Sequence, residues 1–273
     1  MPSVDLIRAA RRYLAQWLPD STEPARRLAR MSSVSGRPDV SFCREVADYF
    51  ERQPARTWTG ELEEQYSKFK LEGMRQYEAL VASGVLVEPW RGPGQPYQGS
   101  QHLVESVLRT GTLFILLTRD HHGPPATAPP ATAPAGRQGG RAHPMRAPSG
   151  VRVGGVELCH NDIFRAVHDA FGHAMFGHSM GPIGEFRATY CHLEMYSAMT
   201  HPVLFTEQVS QICWFFYGPH LRTADGRLPA RGEPGWVAPA GRPYPEQKVF
   251  PCPPELLARF RASFHQRAGM EAR

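Results

Sequence analysis

Six of the 12 histidines, at 160, 168, 173, 178, 192 and 201, fall between residues 160 and 201. The densest part is His168-Asp169-Ala170-Phe171-Gly172-His173, and acidic residues follow at Glu185, Glu194 and Glu207. Two imidazoles and one carboxylate with open positions make the facial triad that suits non-haem Fe(II), and zinc or manganese would accept a similar set. His168 and His173 face one ion only if the backbone allows it. Five residues of ideal α-helix rotate by about 140°, so the spacing predicts a helix that breaks at Gly172, where a turn is sterically cheap. If the helix runs on unbroken, Asp169 and His173 become the same-face pair instead.

A third ligand has to come from another element. Glu207 is the preferred candidate: it lies in the most apolar stretch of the chain, where an ionised carboxylate needs a cation to offset its desolvation. Glu185 is the second choice and Glu194 the third. Glu185 and His192 are seven residues apart, hence on one helical face, and would serve a second ion if there is one. Asp169 or His192 is placed to orient ligands or move protons. Arg165, Gln211 and Trp214 are the candidate substrate contacts, Gln211 and Trp214 following Glu207 at offsets of four and seven. His160, His178 and His201 read as turn or surface residues.

The elements that must hold these groups read as mainly α-helical. Apolar residues recur at helical spacing over 5–18, 41–52 and 61–81. The stretch 85–90 reads as extended, 101–109 as helical and 112–118 as a short β-type run, with Gly84 closing the third helix. Alternation around Gly154-Gly155 predicts a tight β-hairpin. After it come a helix capped by Asn161, a second over 184–199, a nearly all-apolar third over 202–217, and a last over 254–267. Residues 123–150 are Pro/Ala/Gly-rich and read as a disordered insertion between two parts, 1–122 and 151–273, of one domain.

Length and composition remove other classes. The chain has 273 residues, 41% hydrophobic and 21% charged, enough for a large core. Its apolar runs, such as Leu113 to Leu117, are far short of a bilayer span, and the N-terminal stretch mixes Asp5 with Arg8, Arg11 and Arg12. No membrane span and no secretory signal is expected. The net charge of +5 comes without a basic block interleaved with aromatics, which argues against a nucleic-acid partner. Five cysteines at 43, 159, 191, 213 and 252 form no CxxC pair, so a reducing cytoplasm is the expectation.

The segment 161–217 resembles the iron site of the pterin-dependent aromatic amino acid hydroxylases, whose motif is H-E-x-x-G-H followed by a helix with an aromatic pair and a ligating Glu. Here both histidines and Gly172 match, Asp169 stands for the Glu, Trp214-Phe215 is the aromatic pair, and Glu207 precedes that pair where the family's Glu follows it. The resemblance implies Fe(II), dioxygen, an aromatic or amino-acid-like substrate, and a pterin as the open point. HDAFGHAMFGH also resembles the HDxGHxxFGH stretch of HD-domain phosphohydrolases, with one residue inserted; that family's remaining ligands would fall on His102 and Asp225. Over residues 60–260 the chain further resembles a little-characterised bacterial and phage family with H-D-x-F-G-H-A and T-E-x-x-x-Q-x-x-W blocks, here ending at Thr206, Glu207, Gln211 and Trp214. The working expectation is a non-haem iron oxygenase with a small-molecule substrate; a metal-dependent phosphohydrolase and a non-catalytic helical protein are the alternatives.

Overall fold

The computed structural model describes residues 4–18, 23–121 and 142–265. Four helices come first: α1 (Leu6–Trp17), α2 (Pro24–Ser32), α3 (Val40–Arg52) and the long α4 (Gly60–Ala82). Their starts follow from side-chain chemistry. Asp5, Asp39 and Thr59 accept from the backbone N–H of Arg8, Phe42 and Leu62, and Pro24 opens α2 where its missing N–H costs nothing. Gly84, at φ 96°, then turns the chain into β1 (Leu86–Pro89). Helix α5 (Ser100–Glu105), with a π-helical continuation over Ser106–Thr110, crosses over to β2 (Thr112–Ile115), which runs parallel to β1 with Leu86 opposite Thr112.

The short α6 (Thr118–His121) follows, and the chain resumes in the antiparallel pair β3 (Pro148–Val153) and β4 (Val156–Cys159). Gly154 and Gly155 both have positive φ, as the tight turn between these strands requires. The remaining helices are α7 (His160–Val167), α8 (Pro182–Met195), α9 (His201–Leu204), α10 (Gln211–Tyr217) and α11 (Pro254–His265). The fold is mainly α, with two two-stranded sheets among the described residues. No described helix is long and apolar enough to cross a membrane.

Three local expectations need correction. The insertion read at 123–150 is structured from 142 onward: Pro144–Arg146 forms a helical turn, and His143 and Met145 are buried. The rest of it, 123–141, lies outside the described residues. Helix α7 is capped at Cys159 rather than Asn161. The Asp162 carboxylate accepts from Cys159 N and from the N–H and hydroxyl of Thr118, while Asn161 donates to the Thr118 hydroxyl. The helix expected over 202–217 is continuous but not uniform, being α over His201–Leu204, π over Phe205–Ser210 and α again over Gln211–Tyr217.

Two apolar clusters fill the interior. One gathers α1, both strands of the parallel pair and the inner faces of α4 and α7, through Leu14, Leu80, Leu113 and Val167. The other gathers α3, α9, α10 and α11, through Phe50's neighbours Phe42 and Val46 and through Val203 and Phe260. Helices α7 and α8 contribute to both: Val167 and Cys191 face one cluster, Phe164 and Phe186 the other. Polar side chains along the seam between α7 and α8 are therefore held from two sides by packed cores, which fixes their rotamers.

Candidate metal centre

The helix that starts at His160 does not break at Gly172. It widens. From His168 to Ala174 the backbone is π-helical, and the bonds Met175 N to Ala170 O (2.9 Å) and His178 N to His173 O (3.1 Å) each span five residues. In that geometry residues five apart come round to the same side, which a straight α-helix forbids. His168 and His173 accordingly meet edge to face with ring centroids 4.6 Å apart and their Nε2 atoms 2.9 Å apart. Gly172 matters for a different reason from the one expected. A Cβ there would sit 3.0 Å from Ala188 Cβ and 3.3 Å from both His168 Nδ1 and His192 Nε2, so the glycine lets α8 approach.

That approach delivers the third donor, Glu185, in the first turn of α8. Its Oε2 lies 3.2 Å from His168 Nε2 and its Oε1 3.5 Å from His173 Nε2. One donor atom from each of these three residues falls within 4.8 Å of the others, and among the described residues no other His/Cys/Asp/Glu group does so. Donors that share an ion at about 2.1 Å stand about 3.0–3.4 Å from one another at octahedral to tetrahedral angles; the spacings here, 2.9 and 3.2 Å from His168 and 3.5 Å from His173 to the other carboxylate oxygen, lie at or just outside that range.

Proton bookkeeping agrees. His173 Nδ1 is 3.0 Å from the His178 carbonyl oxygen, which can only accept, so Nδ1 carries a proton and Nε2 is the nitrogen that faces the cluster, where a cation would replace a second proton. Burial opposes an imidazolium at His173, but the Glu185 charge and hydrogen bond outweigh it and raise its pKa to about 9. Burial likewise opposes the Glu185 carboxylate, yet His173 and His168 hold its pKa well below the usual range. The pocket thus favours positive charge between these three groups. His173 is sealed at 2% side-chain exposure, whereas His168 and Glu185 keep 14% and 20%, which puts the open side of the centre at those two residues.

The other candidates divide clearly. Glu207, the preferred third ligand, is not in this group. It is buried on the π segment of the α9–α10 rod, accepting from the Tyr66 hydroxyl with His143 Nε2 3.1 Å away. Its desolvation is thus offset by Tyr66, His143 and the nearby charge of Arg56 rather than by an ion shared with the histidines. Glu194 points the other way, into a two-pronged bridge with Arg30 of α2 at 2.9 and 2.6 Å. His192 does come to the site: its Nε2 is 3.1 Å from His168 Nδ1, the rings stack at 5.3 Å, and burial with the neighbouring His168 and His173 keeps it neutral.

Asp169 is half-buried beside the cluster, its pKa raised by burial against the opposing pull of His168, His173 and Arg165. Arg165 therefore acts on Asp169 electrostatically. Trp214 is turned toward α3, donating to Glu51 and stacking on His220 at 3.9 Å, and Gln211 begins α10 half-buried. The residue that does reach the site from this rod is Gln208, whose carboxamide is 2.6 Å from His168 Nδ1. Sequence reasoning passed over Gln208, His143 and Tyr66. The signal for Gln208 was its place beside Glu207 in a run otherwise apolar enough to be buried. His102 and Asp225, the remaining HD-type ligands, are both exposed; Asp225 is tied to Thr223 in a loop.

No protein-family model, curated protein or solved structure matches this chain.

Proposed function

We propose that the chain is a non-haem Fe(II)-dependent oxygenase, with His168, His173 and Glu185 holding the ion and a small amino-acid-derived or aromatic compound as substrate. One observation carries the reading: two imidazole nitrogens and a carboxylate converge within 4.8 Å on the seam between α7 and α8, and the side toward His168 and Glu185 stays open. That is the donor set of the facial-triad oxygenases. Iron bound there would supply the site at which dioxygen is activated.

The chain's own residues supply the rest. Glu185 brings the negative charge, and the His178 carbonyl fixes the tautomer and tilt of His173. Asp169, half-buried and close enough to His168 and His173 to feel their charge, would hold or release a proton beside the ion. Phe164, with ring centroids 6.2 Å from His168 and 5.4 Å from His192, walls off the apolar side.

A metal-dependent hydrolase is the second reading: the same donors accept zinc or manganese, and Asp169, which feels the charge of His168 and His173, would be the nearby base for an ion-activated water. Elemental analysis of protein purified without a metal-charged column separates the readings. About one iron per chain, with oxygen uptake on adding an aromatic amino acid with or without a tetrahydropterin, supports the oxygenase. Zinc or manganese with phosphate release from nucleotides supports the hydrolase. A chain that binds no divalent ion at micromolar concentration leaves a non-catalytic helical protein whose histidines pack.

A further inference from the structure

Strands β1 and β2 run parallel, so both deliver the chain to the same end of their sheet, β1 at Pro89 and β2 at Ile115. A cleft of about 410 Å³ opens between the two exits. That volume suits a small ligand, and the crevice beyond the carboxyl ends of parallel strands is where such ligands settle in open α/β sheets. The cleft is separate from the metal centre. Thr118, at the second exit, is bonded to Asp162 in the first turn of α7, whereas the cluster histidines lie beyond the other end of that helix.

Its walls are fixed by bonds of their own. Trp90 N donates to the Ile115 carbonyl at 2.8 Å, and the Trp90 ring packs edge-on against Phe114 with centroids 5.5 Å apart. A Cβ at Gly92 would run into the same indole, so the glycine lets the loop fold over it. Arg91 is tied to the hairpin by a 2.8 Å bond from Nη2 to the Gly154 carbonyl. The floor is Leu116 and Leu117, both buried, and the rim carries the exposed Arg91, Arg119 and Asp120. Arg119 and Asp120 pair loosely at 3.6 Å. Donors outnumber acceptors here, and Trp90 Nε1 is one more donor, buried without a partner.

We infer that this cleft is a second binding site, one for a small carboxylate carried on a flat, apolar body. Two guanidiniums against one acid leave a single excess positive charge at the rim, which matches a monoanion. A planar guanidinium meets a carboxylate through two parallel N–H bonds. The body of the ligand lies against Trp90, Leu116 and Leu117, where its apolar surface leaves water. A doubly charged phosphate ester fits less well, because Asp120 opposes its second charge. Nothing in this assignment depends on an ion at His168, His173 and Glu185.

The test uses the full, nitrogen-labelled chain with phenylacetate as probe, phenylacetamide as its neutral counterpart and phenyl phosphate as the dianion. Trp90→Phe identifies the Trp90 indole N–H signal among those of the five tryptophans. Phenylacetate should shift that signal saturably, and phenylacetamide should bind about tenfold more weakly. Arg119→Gln should weaken phenylacetate by about three- to tenfold. Asp120→Asn should tighten it by a few-fold, a gain that misfolding cannot produce. Chelator and Glu185→Gln should leave all of this unchanged, which separates the cleft from the metal reading. The inference is overturned if phenylacetate fails to saturate by about 10 mM, if the amide binds equally well or phenyl phosphate binds more tightly. It is also overturned if Asp120→Asn does not tighten binding, or if Glu185→Gln abolishes it and so places the probe at the metal centre.

Discussion

Replacing Gly172 by alanine sets a helix preference against a packing contact, and the contact should win. Alanine in a helix interior is favoured over glycine by about 1 kcal/mol, and Gly172 is not among the residues with positive φ, so its backbone would accept a side chain. The added Cβ, however, would lie 3.0 Å from Ala188 Cβ and 3.3 Å from two ring nitrogens, where carbon contacts settle at about 3.5–4.0 Å. Ala188 is fully buried in the middle of α8, so the relief is a shift of α8 by a few tenths of an ångström. Overpacking of this kind costs about 1–3 kcal/mol, and subtracting the helix gain leaves a net loss of about 1 kcal/mol. In a chain of this length that lowers Tm by about 2–4 °C. The same shift moves Glu185 and His192 with α8, so Co(II) affinity should drop about tenfold or more. Thermal unfolding with and without chelator, together with Co(II) titration, reads both quantities. A G172A protein that is more stable by about 1 kcal/mol and binds Co(II) unchanged would show that the close approach of α8 does not build the site.

Three further outcomes follow from the placement of particular acids and histidines. Glu185→Gln removes the only carboxylate in the cluster and should abolish stoichiometric Co(II) binding at micromolar concentration. Glu207→Gln should keep one ion per chain, with affinity reduced several-fold, while losing about 1–3 kcal/mol of stability from the buried hydrogen bond with Tyr66 and the contact with His143; the reverse pattern would restore Glu207 as the ligand. His201 is buried, donates to the Tyr196 carbonyl at 3.1 Å, and has its pKa lowered to about 4 by burial and by Arg261. Unfolded, it takes up a proton near pH 6.5; folded, it resists until about pH 4. Its contribution is therefore complete above pH 6.5 and is lost as pH falls toward 4, with a ceiling of about 3 kcal/mol. Urea midpoints at pH 7 and pH 5 should show that slope, and His201→Gln should flatten it; a wild-type midpoint unchanged between the two pH values would refute the assignment.

Helices, strands and the hairpin were legible because each has a local cause. The 3.6-residue apolar pattern of α1, α3 and α4 and the Gly154-Gly155 turn both act within a few residues of chain. The cap of α7 was misread because Asn161 and Asp162 offer similar side chains, and only the tertiary contact with Thr118 decides that Asp162 takes the backbone donor. Likewise His143 and Met145 sit in a stretch whose composition reads as disordered, yet they are buried beside Tyr66 and Glu207, which lie far away in sequence.

The site itself turned on one quantity that sequence does not display, the number of residues per helical turn. With 3.6 assumed, His168 and His173 needed a break to meet, and Glu207 lay on a uniform apolar helix with no neighbour to offset its charge but an ion. Widening the helix over His168–Ala174 brings the histidines together without a break. Widening it again over Phe205–Ser210 replaces the expected face of Glu207, Gln211 and Trp214 with one on which Glu207 meets Tyr66 and Gln208 meets His168. Such turns surrender regular i→i+4 bonding, and they persist where surrounding packing holds them. Here that packing is α8 seated on Gly172 and α4 reaching Glu207 through Tyr66. The five-residue histidine spacing is therefore better read as evidence for a widened turn than for a helix end. The choice of Glu185 over Glu207 follows from which helix the glycine admits.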